Sequence, residues 1–428
     1  MKIINVSQPA AQAAYLRKST TIPDSLMENT KSIMKSVREC GDSAIFDYTL
    51  KFDGVRLESL KVNEQEIKQA FQQVTKEQVK AIKMMKDRLA KCEMAVLRRL
   101  NRIVISSKDI RIERTLRPVA SVGCYIPGGK ARYPSTVVMC VVPAKIAGVK
   151  RIVAISPPMK DGSIDPLTLV AADICGVDEF YKTGGAQGIA ALAYGTQSIK
   201  QVSKIVGPGG MYVTAAKLAA SSNVSIDMVA GPTELLILAD KTADPRLVAI
   251  DLISQAEHSN DTICGLVTTS AKLASQVQAE VETIAQNIAR SETVKSSLKE
   301  NGFIAICENE NDCIGFVNEF APEHLEIMCK NDDTVSKKID AAGLVLIGRY
   351  APSSATDYCI GSNHVLPTLG FGKSRASLSI LDFIKMVNKV KVTREGLKQV
   401  DRAINEMASA EGLLNHYEAI KARINEEK

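Results

Sequence analysis

The 428-residue chain has only four histidines, and each stands among polar neighbours: His258 in SQAEHSN, His324 in APEHLEI, His364 in GSNHVLP and His416 in EGLLNHYEA. Gln255 and His258 are three residues apart at the end of an apolar helical stretch, so they share one face. Imidazole nitrogen suits zinc, and a carboxamide oxygen is an acceptable, less common partner. A hydrogen-bonded helix end would use the same two residues, and no HExxH or Cys/His pair motif decides between the readings. Glu323 and His324 set a carboxylate beside an imidazole, a candidate pair for proton handling. Neighbours in an extended strand face opposite ways, so both serve one substrate only if the chain turns, which Pro322 allows. Asp357 lies in the small, polar loop TDYCIGSNHVLPT with His364 seven positions on, either a site wall or an ordinary surface turn.

Three glycine turns follow short β-type runs: YIPGG (125–129), TGGAQ (183–187) and GPGG (207–210). At the carboxyl end of a strand such a turn lets backbone N–H groups approach a phosphate, and the next helix adds its positive end. Glycine-rich loops are also ordinary in α/β folds, and no GxGxxG is present. Together the turns raise the case for a dinucleotide cleft.

The elements that must hold these residues alternate. The first ~100 residues read as helical, with apolar residues at three- and four-residue spacing over Thr21–Cys40 and Asn63–Leu97. From about residue 119, β-branched runs alternate with helices: VASVGCYI, a helix from Pro134 to Gly148, RIVAIS, a helix near Leu167–Cys175, then EFYKT, KIVGPGG, VSIDMV and LLILA. A second series runs from Thr262 to about Gly348. This predicts an α/β protein with two doubly wound parallel-sheet units, incomplete Rossmann-like, and helical extensions at both ends. After Lys385 the chain reads as charged helix.

Composition narrows the class. The chain is 45% apolar and 24% charged, ordinary globular values that exclude disordered and fibrous proteins. No apolar run reaches the ~18 residues of a membrane span, and MKIINVSQPAAQ lacks a secretory apolar stretch. The ten cysteines are scattered without CxxC. A soluble cytoplasmic protein with reduced thiols is expected. Net charge is +6, concentrated at Arg98, Arg99, Arg102, Arg111, Arg114 and Arg117. That cluster reads as a nucleic-acid site or, with better odds, as a solvated helix face or subunit interface. Aromatics are 4% and Trp is absent, so stacking platforms are lacking. Neither a nucleic-acid nor a membrane partner is expected.

The strings YIPGG, YPST, VVPAKIAGV, GGAQGIAALAYG, KIVGPGG, IDMVAGPTE, DLISQAEH, APEHLE, SNHVLPT and AEGLLNH, in this order over about residues 20–420, closely resemble the histidinol dehydrogenase family. The resemblance implies oxidation of L-histidinol to L-histidine through the aldehyde, the last step of histidine biosynthesis, with two NAD and one zinc ion per subunit. It implies zinc ligands at Gln255, His258 and Asp357, and at His416 supplied by the partner in a homodimer with shared sites. Glu323 and His324 match the catalytic acid/base residues. Thr233, Gln255, His258, Glu323, His324, Asp357, Glu411 and His416 match substrate contacts, and Tyr125, Gln187 and Gly210 match NAD contacts. The family usually has Asn at Gly210 and Ser at Thr233. The implied organisation is an arm (1–20), a first α/β domain with the metal and catalytic residues (21–118 plus 234–378), a second NAD-binding Rossmann-like domain (119–233), and a helical tail (379–428) reaching the partner's site. The alternatives are a related zinc/NAD dehydrogenase of another small amino alcohol or polyol, a zinc-dependent hydrolase, and a basic binding protein.

Overall fold

The computed structural model describes residues 1–17, 22–100, 102–107, 109–128 and 132–426. Gly129 of the first glycine turn, residues 18–20 of the arm, Thr21, and 427–428 of the tail lie outside that set. Fourteen strands occur among the described residues: β1 (Lys2–Val6), β2 (Ile103–Ser107), β3 (Ile110–Pro118), β4 (Ser121–Tyr125), β5 (Arg151–Ser156), β6 (Glu179–Lys182), β7 (Lys204–Val206), β8 (Ser225–Ile226), β9 (Glu234–Ala239), β10 (Ile263–Thr268), β11 (Phe303–Cys307), β12 (His324–Met328), β13 (Leu344–Ile347) and β14 (Ile384–Val392).

Two of the three sheets are parallel. One runs β6-β5-β4-β7-β8 and the other β1-β11-β10-β9-β12-β13. Counted along the chain, the five-stranded sheet and the last five strands of the six-stranded sheet share the order 3-2-1-4-5, the doubly wound pattern with a switch point beside its first strand. The continuously apolar runs explain the arrangement. ELLILA of β9 and ICGLVT of β10 are buried at every position, as strands covered by helices on both faces must be. The expected parallel α/β units are therefore present, and LLILA heads the second rather than ending the first.

Three sequence expectations are corrected. The basic stretch after Arg99 is not a helix face: β2 and β3 form an antiparallel sheet with β14. Ile105 and Ile112 sit opposite each other, and Glu113 pairs with Arg102 at 2.6 Å. The tail accordingly opens with a strand and becomes helical only at Arg394–Ala410 and Leu414–Ile424. The helices between Asp24 and Arg99 also pack chiefly on the five-stranded unit, with only Val365 and Leu378 of the 234–378 segment joining one of these buried cores. Ile33, Val37 and Ile45 share a core with Ile189, Leu192 and Ile205, while Ile82, Met85 and Leu89 share one with Val138, Val141 and Ile152. An amphipathic stripe shows that a face is buried, not what buries it. Among the described residues no helix is long and apolar enough to cross a membrane.

Candidate active site

The carboxyl ends of β4 and β7 meet the amino ends of β9 and β12 across a cavity of about 650 Å³. Its walls include Thr233, Gln255, His258, Glu323, His324, Asp357 and Gly210. Seven of the eleven candidate residues thus come together from segments spread over 150 positions.

The expected turn at Pro322 is real. Ala321 takes a left-handed conformation, φ 49°, and Glu323 ends up just before β12 while His324 begins it. The pair is held by β9. Glu323 Oε2 accepts the N–H of Glu234 at 2.9 Å, and Glu234 Oε2 accepts the N–H of Glu323 at 3.2 Å. The other oxygen of Glu234 accepts the N–H of Leu369 at 3.0 Å, tying in the loop after His364. His324 Nδ1 lies 3.3 Å from the Glu234 carbonyl, which can only accept, so Nδ1 carries the proton. Nε2 is then an acceptor, buried and without a protein partner. Burial pushes the His324 pKa down to about 4 and Glu323 well above the carboxylate range, with Glu234 raised to about 7. At neutral pH His324 is therefore a neutral imidazole.

The metal-type donors stand opposite. The helix Pro245–Ala256 is capped by Asp244, whose Oδ1 accepts the Arg246 N–H at 3.0 Å. Its last turn carries buried Gln255, and the His258 N–H closes on the Gln255 carbonyl at 3.2 Å. Asp357 follows the short helix Ser353–Thr356. His364 donates Nδ1–H to the Asp357 carbonyl at 2.9 Å, so the loop is a cleft wall rather than a surface turn. Burial pushes Asp357 up to about 6 and lowers His258, which keeps that imidazole neutral. A half-buried carboxylate with no lysine or arginine partner among the described residues, a neutral imidazole and a carboxamide oxygen are a donor set that suits zinc. Among the described residues no three His, Cys, Asp or Glu side chains cluster as a metal site; here one donor is an amide.

The glycine turns lie where expected, after β4, β6 and β7. Gly207 has φ 114°, and a Cβ there would sit 2.2 Å from the Tyr125 carbonyl, so only glycine fits. Gly210 caps the helix Met211–Ala220 and has open space where a side chain would stand. That opening at a helix N-terminus, on the switch point, is the kind of place where backbone N–H groups can receive a phosphate. Beneath the turn Lys217 and Asp227 form a buried ion pair. Lys217 Nζ donates to the Gly207 carbonyl at 3.0 Å, and Asp227 Oδ2 accepts the Gly207 N–H at 2.7 Å.

Four candidates are not in the cavity wall. Tyr125 and Gln187 are buried beside the TGGAQ turn, where the Tyr125 hydroxyl accepts the Gly185 N–H at 3.3 Å. Glu411 and His416 are exposed on the tail. Sequence reasoning missed Glu234, Lys217 and Asp227. Only Glu234 left a signal: a carboxylate heading the otherwise apolar ELLILA.

The sequence model of the family described as histidinol dehydrogenase matches residues 16–424. The histidinol dehydrogenase of Methanocaldococcus jannaschii is 42% identical over 401 residues, 94% of this chain and 93% of that protein. That of Bacillus thuringiensis subsp. konkukian is 42% identical over 407 residues, 95% and 94% of the two chains. A crystal structure of histidinol dehydrogenase from Elizabethkingia anophelis superposes with a TM-score of 0.94 at 35% identity, covering 99% of this chain and 98% of that one.

Proposed function

Because the chain belongs to the histidinol dehydrogenase family, an oxidoreductase family of histidine biosynthesis, we propose that its cleft oxidises L-histidinol to L-histidine in two successive steps. The observation that carries this reading is His324, whose buried Nε2 has no partner among the described residues, on the wall of the cavity that Gln255, His258 and Asp357 also line. Gln255, His258 and Asp357 would hold zinc together with His416 of the partner subunit, in a homodimer whose sites are shared. Zinc, when bound, would supply a Lewis-acid anchor for the substrate, and NAD would supply the capacity to accept electrons in each of the two oxidations.

The chain's own groups handle the protons. His324 Nε2 accepts the proton of the alcohol; its Nδ1–H, fixed on the Glu234 carbonyl, leaves it no other orientation. Glu323 is assigned to accept a proton from the water that adds to the aldehyde; burial holds its carboxyl protonated in the empty cleft, so this role requires the ionised form that a cation bound nearby would favour. His324 then acts again on the hydrated aldehyde. The cavity walls keep the reactive aldehyde from solvent between the steps. Thr233 and Glu411 are assigned substrate contacts. Gly210, Tyr125 and Gln187 are assigned to the NAD side, with the five-stranded unit as the NAD domain. A reducing cytoplasm suits the ten free cysteines. Substrates other than histidinol are not favoured by the identity to named relatives over nearly the whole chain.

The test is NADH release from L-histidinol by purified protein, with and without a chelator. Two NADH per histidinol and loss of activity on zinc removal are expected. A one-to-one yield would refute the two-step scheme, and full activity without metal would refute the zinc assignment.

A further inference from the structure

Side chains alternate along β12, and the two cores show which way each points. Leu325 and Ile327 enter one apolar core, while Met328 enters the other with Val248, Ala249 and Leu252 of the helix Pro245–Ala256. Glu326, on the Met328 face, is therefore aimed under that helix, in line with His324. There it meets Asp251, one helical turn before Gln255. Glu326 is 1% exposed and Asp251 9%. Glu326 Oε1 accepts the N–H of Ser353 at 2.6 Å. Ser353 opens the short helix that delivers Asp357, and Thr356 closes it by donating its hydroxyl to the Ser353 carbonyl at 2.6 Å.

Among the described residues Glu326 Oε2 is buried without a paired donor, and the Asp251 carboxyl, like the Ser353 hydroxyl, is set within hydrogen-bonding reach of the Glu326 carboxyl. Two carboxylates cannot hydrogen-bond without a proton between them. We propose that Glu326 keeps its carboxyl proton, donates it from Oε2 to Asp251, and so acts as a positioning residue that fixes the helix bearing Gln255 and His258 against the segment bearing Asp357. Burial pushes both carboxyls up, Glu326 further than Asp251, which supports a retained proton. The bridge acts on the site from outside the cavity wall. It spans the two chain segments that would both have to reach one ion, and a ligand shell of this kind depends on such outer supports. A leucine would fill the same space but offers nothing to the Ser353 N–H, and would leave Asp251 without its donor.

The inference rests on the zinc reading above, and its test reads metal binding directly, by competition of purified protein with a chromophoric zinc chelator. Glu326→Gln is expected to keep zinc affinity within about threefold, because the amide N–H₂ replaces the carboxyl O–H toward Asp251 and its oxygen still accepts from Ser353. Glu326→Leu is expected to weaken zinc at least tenfold. Ser353→Pro gives an independent break: proline is at home at the first position of a helix but lacks the N–H, and at least a tenfold loss is expected again. If the leucine variant does not fold, Ser353→Pro and Glu326→Gln still decide. Wild-type affinity in Glu326→Leu or Ser353→Pro overturns the inference. A Glu326→Gln variant with a tenfold or greater loss overturns it too, because the carboxylate charge and not the donated proton is then what matters. Wild-type protein that takes up no zinc overturns the zinc reading itself, a result distinct from either.

Discussion

Lys217→Met is the most demanding stability test, because it strikes the pair beneath the glycine turn after β7. Lys217 and Asp227 side chains are 3% and 0% exposed, so water does not screen them. An exposed pair such as Lys398–Glu395 is worth ~0–1 kcal/mol. Breaking a buried pair costs ~3–5 kcal/mol, because one charge is left uncompensated. Asp227 retains two backbone donors, the N–H of Gly207 at 2.7 Å and of Met228 at 2.6 Å. Those two bonds place the expected loss near the lower end, about 3 kcal/mol. A cooperative unit of this size loses ~2–4 °C per kcal/mol, so the melting temperature should fall by roughly 6–12 °C. Circular dichroism is the suitable probe in a chain without tryptophan. The variant also frees the Gly207 carbonyl, so KM for NAD should rise more than kcat falls. Asp227→Leu should be worse than Lys217→Met, since it orphans both backbone N–H groups as well as the lysine. A fall under about 2 °C for Lys217→Met, or a milder Asp227→Leu, would refute the claim that this pair locks the turn.

Further outcomes follow from the same geometry. His324→Ala should cut turnover by ~10²-fold or more, the usual scale of a lost acid/base; unchanged steady-state rates would remove it from the chemistry. Glu323→Gln should slow the oxidation of the aldehyde more than that of the alcohol, measured as separate half-reactions; equal slowing would contradict its role toward water. His324 and His364 both have pKa values lowered to about 4 by burial. Such groups stabilise the fold above their unfolded value near 6.5, and the benefit is lost as pH falls toward 4, by up to about 3 kcal/mol for each. Because the raised carboxyls of Glu234, Glu326 and Asp357 act in the opposite sense over the same range, the histidine contribution is read as a difference: metal-stripped His364→Gln protein should lose less stability than wild type between pH 6.5 and 4.5, and equal slopes would count against neutral burial. Mixing His416→Asn with Gln255→Ala protein should restore activity to some sites if the ligands cross subunits. Exchanged subunits with no recovery would show that they do not.

What the sequence disclosed depends on the range over which each feature is specified. Parallel strands such as β9 and β10 were legible because burial on both faces makes them continuously apolar. The turn at Pro322 was legible because proline and the adjacent Glu323–His324 pair are local. The β2–β3–β14 sheet was not, since Arg114 finds Asn388 some 270 positions away and nothing local distinguishes that partner from solvent. The site showed the same division. Gln255, His258, Asp357 and the Glu323–His324 pair were visible by type and spacing. Glu234, the Lys217–Asp227 pair and the Asp251–Glu326 pair looked like ordinary surface charges, because what buries each of them comes from another segment.

The location of these hidden charges bears on how a cation and a hydride-accepting dinucleotide would share the proposed cleft. Brought to the cavity by the amino end of β12 are Glu323 and His324, held from behind by Glu234 of β9, and from the facing segments Asp357 and His258. Burial is the largest cause holding each of them away from its charged form, and among the described residues no lysine or arginine forms a salt bridge with these carboxylates. Across the gap, the carboxyl ends of β4 and β7 bring glycine turns, whose backbone N–H groups favour an anion, with the Lys217–Asp227 charge already neutralised beneath them. One wall thus gathers carboxyl and imidazole groups, with Arg290 at its edge on the His258 carbonyl, and the other offers backbone N–H groups in the form a phosphate takes. A divalent ion on the first wall would favour the ionised form of Asp357 and, through it, relieve the desolvation that the fold imposes. The expected signature is proton release when zinc is added to metal-free protein near pH 6, measured in weakly buffered solution. Uptake of zinc without any proton release there would mean that Asp357 is already ionised and that burial is not what the ion offsets.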